Sequence, residues 1–272
     1  MTALGFRARD REYAAASWRS MITYGGSQCY RIVLKWTRDP ATLAQALIYP
    51  AVLVAMFRIV LGDSVSAHSG QDSIYALVPM VALVGAMSGA SASTLGLRRE
   101  RESGLLRRFW VMPVHRSAVI VGRLAAEAIR ALVTACLVFL VGAAFGFRIE
   151  GGPLALVAML ALAMFYGAAF STVVTSAALL SERTTLVEWI AIGTNLLMLF
   201  NSGFAPVSVY PTWLQPIVRN QPLSCGVDAL RSLALGTPDT GAIVALLGWS
   251  IGLFVLFWRP LVRGYRKAAL PG

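Results

Sequence analysis

Acid is scarce in this chain of 272 residues: 13 Asp and Glu stand against 24 Lys and Arg, and the only lysines are Lys35 and Lys267. Charged residues make up 14%, where an average soluble domain has about 25%. With 57% apolar residues, a water-soluble fold of this size would lack the polar surface to cover itself. The excess must face lipid, which excludes a cytosolic enzyme, a secreted disulfide scaffold and a disordered chain. Cysteine is nearly absent too. Cys29, Cys136 and Cys225 are odd in number and far apart, so they offer neither a zinc site nor a disulfide framework. His68 and His115 both fall outside the apolar stretches. No H-E-x-x-H motif occurs, and no histidine is placed to activate a serine within the membrane. Glu127 and Glu188 sit near the ends of apolar stretches, so the central carboxylate expected of a proton-coupled carrier is missing. We therefore expect no catalytic residue and no metal site. A phosphate-binding loop is excluded as well: it ends in G-K-[ST], but Lys35 precedes Trp36 and Lys267 precedes Ala268. Residues 1–40 are polar and Arg-rich without an early apolar core, so no secretory signal is expected there.

What is present is a set of long apolar runs. A helix needs about 20 such residues to cross roughly 30 Å of hydrocarbon. The stretches Ala41–Leu61, Ser73–Leu95, Ala125–Phe147, Pro153–Leu180, Leu186–Phe204 and Gly241–Trp258 qualify. Basic residues alternate between the segments that join them. Residues 1–40 carry seven, 62–72 none, 96–124 seven, 205–240 two and 259–272 four. The positive-inside rule then predicts an all-α integral membrane protein of the plasma membrane with six spans and both termini in the cytoplasm. The net charge of +11 is a topology signal, and no nucleic-acid module accompanies it. This reading divides the chain into an N-terminal segment 1–40, a membrane domain 41–258 and a basic tail 259–272.

Within that frame, Trp18–Trp36 mixes apolar and basic residues, as a helix lying on the inner leaflet would, with Gly25 and Gly26 expected to interrupt it. Pro50 is expected to kink the first span. Near that span's external end, Arg58 can snorkel outward or attract an anionic substrate. Arg123, Glu127 and Arg130 share one helical face, where they form either a latching ion-pair ladder or simple charge neutralisation. Gly85-x-x-x-Gly89 and Gly142-x-x-x-Gly146 allow close helix packing, with a partner in the same chain or another. Ser171, Thr175, Asn195 and Asn201 are polar groups in apolar stretches and candidates for lining a substrate route. The proline-rich external segment 205–240 suits either two half-helices dipping into the outer leaflet or a hairpin on its surface, with Tyr210 and Trp213 as interfacial aromatics.

The cytoplasmic segment 98–116 is the most informative. Gly104 and Pro113 bracket a short predicted helix whose apolar face is Leu105, Leu106, Phe109 and Trp110, beside Arg107 and Arg108. It can dock into a soluble partner or anchor at the interface. Here the sequence resembles the permease subunits of type-2 ABC exporters, the daunorubicin/doxorubicin-resistance group. The motifs carrying the likeness are Arg99-Glu100-Arg101-Glu102-Ser103-Gly104-Leu105-Leu106 leading to Pro113-Val114-His115-Arg116, then Gly146-Phe147-Arg148. They continue in Tyr210-Pro211-x-Trp213-Leu214-Gln215-Pro216, Asn220-Gln221-Pro222-Leu223-Ser224 and Asp228-Ala229-Leu230-Arg231. The likeness spans almost the whole chain and is strongest to actinobacterial exporters of anthracyclines or phthiocerol dimycocerosate-type lipids.

The resemblance implies export of a hydrophobic drug or lipid from the cytoplasm or inner leaflet. It implies ATPase coupling through Arg99, Glu100, Glu102, Gly104, Leu105 and Arg107. It also implies an external re-entrant gate containing Tyr210, Pro211, Trp213, Pro216, Pro222 and Arg231. With no phosphate-binding loop here, ATP and Mg belong to a separate ATPase subunit, and this chain binds no cofactor itself. The absence of an internal repeat calls for a second permease, identical or homologous. Membrane lipid is the remaining partner.

Overall fold

The structure, a computed structural model, describes residues 18–69, 72–104, 116–180 and 185–269, and the regular elements among them are helical. In chain order these are α1 (Trp18–Thr37), α2 (Pro40–Ser69), α3 (Ile74–Glu102), α4 (Arg116–Ala144), α5 (Gly152–Leu180) and α6 (Thr185–Leu199). A 3-10 turn (Val207–Val209) follows, then α7 (Gln215–Asn220), α8 (Pro222–Ala234) and α9 (Thr240–Ala269). Each predicted apolar stretch falls on one helix: α2, α3, α4, α5, α6 or α9. Ser117–Ala144, Gly152–Leu180 and Thr240–Ala268 are long and apolar enough to cross a bilayer, whereas Ile48–Val60, Ile74–Ala90 and Glu188–Leu199 are shorter apolar runs.

The core forms around α3, whose residues from Leu77 to Leu83 are buried on all sides by α2, α4, α5 and α8. Small side chains make this possible. A methyl group on Gly85 would fall 2.7 Å from Thr134 Cγ2, and one on Gly142 would fall 2.7 Å from Val78 Cγ2. The small-residue spacing thus serves packing of α3 against α4 within this chain. α5 joins the other side of α3 and makes its broadest contact with α9. A second apolar cluster, Leu97, Ile120, Ala178, Leu179, Leu261 and Tyr265, ties α3, α4, α5 and α9 together at the end where residues 98–104 lie. Exposed apolar side chains cover the outer faces, among them Ile59 on α2 and Val255 and Leu256 on α9.

Several boundaries differ from expectation. Gly25 and Gly26 do not interrupt α1, which runs unbroken and packs along α4. A methyl group on Gly122 would fall 2.5 Å from the Gly25 carbonyl oxygen, so two glycines meet where the helices cross. The expected connection 62–72 is helical as far as Ser69. α4 begins at Arg116, nine residues ahead of the predicted span at Ala125. α9 continues through Pro260 to Ala269, so most of the expected tail is helix. There Leu261 and Tyr265 are buried, and Gly264 lets the backbone approach Leu179 Cβ; this packing outweighs the hydrogen bond that proline removes. α6 stops at Leu199, short of the predicted Phe204. The Asn201 amide donates to the Met198 carbonyl while its Oδ1 accepts the Gly203 N–H at 2.6 Å, which closes the helix end.

Candidate functional site

Two polar constructions stand out at opposite ends of α3. The first is a charged seam where α3 leads into 98–104. Glu100 is 6% exposed, and both its carboxylate oxygens are taken by arginines of other helices. Oε2 accepts Arg123 Nη2 of α4 at 2.5 Å, and Oε1 accepts Arg31 Nη2 of α1 at 3.1 Å. One turn along α4, Glu127 Oε2 accepts Nε and Nη2 of Arg130 at 2.9 and 2.5 Å. The Arg130 guanidinium also lies 5.6 Å from the centroid of the Trp36 ring. Its space comes from Gly89, where a methyl group would overlap Arg130 Nη1 at 0.9 Å.

The anticipated ladder on α4 is therefore only partly formed. Glu127 and Arg130 pair along the helix, while Arg123 reaches across to α3. Pairs this buried lose their hydration, so removing one partner strands a charge and costs about 3–5 kcal/mol. Their arrangement ties α1, α3 and α4 together beside residues 98–104.

Of the residues assigned to ATPase coupling, Glu100 points inward to its own chain. The backbone of Arg99 and Glu102 continues α3, and Gly104 follows at φ +71° with its N–H on the Arg101 carbonyl at 3.1 Å. Leu105 and Arg107, with the helix predicted between Gly104 and Pro113, lie outside the described residues. Arg31 and Tyr265, which help to complete this end, were not singled out from sequence for it. A lone arginine or tyrosine in a polar segment gives no signal until the fold brings it to its partners.

The second construction joins the end of α6 to α8. Buried irregular backbone needs internal hydrogen bonds, and residues 200–203 have them. The Gln221 amide donates to the Phe200 carbonyl and, at 2.9 Å, to Ser224 Oγ. Ser224 Oγ in turn accepts the Ser202 N–H at 3.1 Å, and Ser202 Oγ donates to Asp228 Oδ1 at 3.0 Å. Asp228 Oδ1 also accepts Arg231 Nη2 at 2.7 Å. Burial pushes the Asp228 carboxyl above the ordinary aspartate range, with Arg231 and Ser202 pulling it back.

Among the expected gate residues, Tyr210 donates its hydroxyl to the Asn201 carbonyl at 3.2 Å, and Arg231 belongs to this seam. Pro216 and Pro222 start α7 and α8, where a missing N–H is harmless. Pro211 and Trp213 are exposed. α8 buries Leu223, Val227 and Leu230 against α3, α5 and α9, while Trp213 and Ile217 stay at the surface.

The four expected lining residues are not brought together. Ser171 and Thr175 are buried in α5, whose neighbouring hydroxyls bond to carbonyls: Thr172 to Ala169 at 2.6 Å, and Ser176 to Phe257 of α9 at 3.2 Å. Asn195 is exposed, and Asn201 is fully buried as a helix-end closure. A cavity of about 780 Å³ opens elsewhere, lined by 202–207, the end of α7, α8 and the start of α9. Arg58 is engaged at the same end of α3, with Asp72 Oδ1 at 2.9 Å and Ser73 Oγ at 2.8 Å.

Comparison with known proteins follows the same outline. The ABC-2 type transporter family matches residues 28–235, from α1 through α8. A Mycobacterium tuberculosis protein named as a doxorubicin resistance ABC transporter permease, DrrC, is 34% identical over 242 residues, covering 89% of this chain and 88% of its own. The daunorubicin resistance ABC transporter permease protein DrrB1 of Streptomyces coeruleorubidus is 23% identical over 265 residues, covering 96% and 90%. A match over most of the chain, on an all-helical apolar scaffold with no phosphate-binding loop, identifies this protein as a member of the ABC-2 type transporter family: a multi-pass plasma-membrane permease subunit of an ABC exporter, whose ATPase is a separate chain.

Proposed function

We propose that this permease moves a hydrophobic drug or lipid out of the cytoplasm or inner leaflet. In this reading it crosses the membrane six times on α2, α3, α4, α5, α6 and α9, with both termini in the cytoplasm. Segment 98–116 seats against the ATPase subunit, which holds ATP and Mg. Segment 205–240 closes the outer exit by re-entrant packing of α8, and a second permease, identical or homologous, completes the pathway. The observation that carries the cargo class is the likeness, over 89% of this chain, to a permease named for doxorubicin resistance. The coupling role is supported by the charged seam: Glu100 links the helix entering 98–116 to α1 and α4, so a push on that segment is transmitted to three helices as one unit.

Reconstitution in liposomes tests the division of labour. Doxorubicin transport should require both the ATPase subunit and ATP; transport by this chain alone would end the proposal. Glu102→Lys should weaken co-purification of the ATPase, and unchanged assembly would remove residue 102 from the contact. Labelling of a cysteine at position 103 from outside intact cells would invert the topology and refute it.

A further inference from the structure

α9 is 30 residues long. At 1.5 Å per residue it measures about 45 Å, roughly 15 Å more than the hydrocarbon core it has to cross. Its apolar part closes at Trp258, and the turns beyond carry Arg259, Arg263 and Arg266. At 3.6 residues per turn these three lie within about 60° of one another around the helix axis. All are exposed, and no guanidinium of the three forms an ion pair or hydrogen bond among the described residues. Leu261, Gly264 and Tyr265 take the opposite side, buried against α3, α4 and α5. No Asp or Glu follows Asp239 in the sequence, so α9 holds no acid to offset the arginines. Glu100 and Glu127, the acids of the seam at this end, are buried and engaged by other arginines. One turn before Arg259 the same side of α9 presents Val255 and Leu256, 71% and 67% exposed. Trp258 stands at the border, where an indole suits the membrane interface. A single helix face thus changes from apolar to basic along its length, the order in which a phospholipid passes from acyl chain to phosphate.

We propose that this face of α9 binds an anionic phospholipid, with an acyl chain along Val255 and Leu256 and the phosphate on Arg259 and Arg263. Guanidinium groups suit a phosphate because their paired N–H donors match its oxygens. Arg266, about 10 Å beyond Arg259, adds attraction for the anionic surface. An acidic protein surface would match the charge, but not the apolar residues that continue the same face into the bilayer. With Leu261 and Tyr265 packed on the other side, the lipid braces the end of α9 against α3, α4 and α5. That the lipid belongs to the inner leaflet rests on the cytoplasmic termini proposed above; the site itself does not.

The test titrates the full chain in its native assembly with phosphatidylglycerol or phosphatidylcholine and counts bound lipids by native mass spectrometry. The first phosphatidylglycerol should bind more tightly than the first phosphatidylcholine, and less tightly as ammonium acetate is raised. One arginine near anionic headgroups contributes about fivefold in affinity, equivalent to about 1 kcal/mol. Arg263→Gln should therefore weaken phosphatidylglycerol about fivefold and phosphatidylcholine by less. Arg263→Lys should fall in between, because it keeps the charge and loses the fork. Arg38→Gln, which removes an exposed charge just after α1, should change neither. Arg263 is exposed and its side chain makes no described hydrogen bond, so its substitution leaves the fold intact, as an unchanged melting temperature will show. Equal affinities for the two lipids, or phosphatidylglycerol binding unaltered in Arg263→Gln, overturn the proposal. So does loss of the ATPase subunit from the Arg259→Gln, Arg263→Gln double variant with lipid affinity kept, which would make the face a protein contact. Orientation is read separately from Gly272→Cys, which should resist an impermeant thiol reagent added to intact cells. If it reacts while Arg263→Gln still loses lipid, the topology has failed and the site stands, supplied by the outer leaflet.

Discussion

At the scale of single residues, the sharpest dependence is that of Arg130 on Gly89. The guanidinium crosses α3 where a carbon added at Gly89 would lie 0.9 Å from Nη1. Gly89→Ala must therefore shift the flexible end of Arg130 and strain its hold on Glu127, which is 1% exposed. We expect a loss of about 1 kcal/mol, seen as a lower melting temperature in detergent. In an Arg130→Met background the same change should cost much less, because the group it collides with is gone. Equal losses in both backgrounds would show that the collision is not the cause. Exposure separates the two arginines on Glu100 in the same way. The Arg31 side chain is 38% exposed and Arg123 only 6%, so Arg31→Gln should cost at most about 1 kcal/mol and Arg123→Gln several times more. Similar melting temperatures for the two variants would contradict this ranking.

At the scale of elements, glycine in a helix has opposite meanings depending on what faces it. Gly25 and Gly26 read in sequence as a break, because glycine weakens an isolated helix by about 1 kcal/mol. The break does not form because Gly25 and Gly122 face each other where α1 crosses α4, and the packed helix pair repays the weak propensity. Adjacent Gly26 has open space around it. Gly26→Ala should therefore be neutral or stabilising, while Gly122→Ala should lift α1 from α4. The readout is trypsin cleavage at Arg31 and Lys35, accelerated in Gly122→Ala and unchanged or slower in Gly26→Ala. Equal cleavage rates in both would mean that the crossing does not hold α1.

The apolar runs made α2, α3, α4, α5, α6 and α9 legible beforehand, because one run predicts one helix whatever its neighbours. What stayed hidden were the ends. α6 stops at Leu199 because Asn201 turns its amide back on Met198, and α9 passes Pro260 because Leu261 and Tyr265 have a cluster to enter. The first outcome is set by a side-chain bond three residues back and the second by contacts distant in sequence, and periodicity contains neither.

For the whole molecule, the proposed coupling divides its acids between two tasks. The family resemblance assigns Glu100 together with Glu102 to the ATPase contact. The fold separates them in kind: Glu100 is buried and paired inside the chain, two residues before α3 ends at Glu102. An isosteric change that removes only the charge distinguishes a contact from a linkage. In Glu100→Gln the ATPase subunit should still co-purify, because the partner-facing surface is untouched. Arg31 and Arg123 would then share a neutral amide, and α1, α3 and α4 would no longer move as one body. Cargo-stimulated ATP turnover and transport should fall together, by roughly tenfold if the loss of coupling is near 1.4 kcal/mol. Loss of the ATPase from the purified complex would instead make Glu100 a direct contact. Full transport with a normal melting temperature would show that the seam carries no motion.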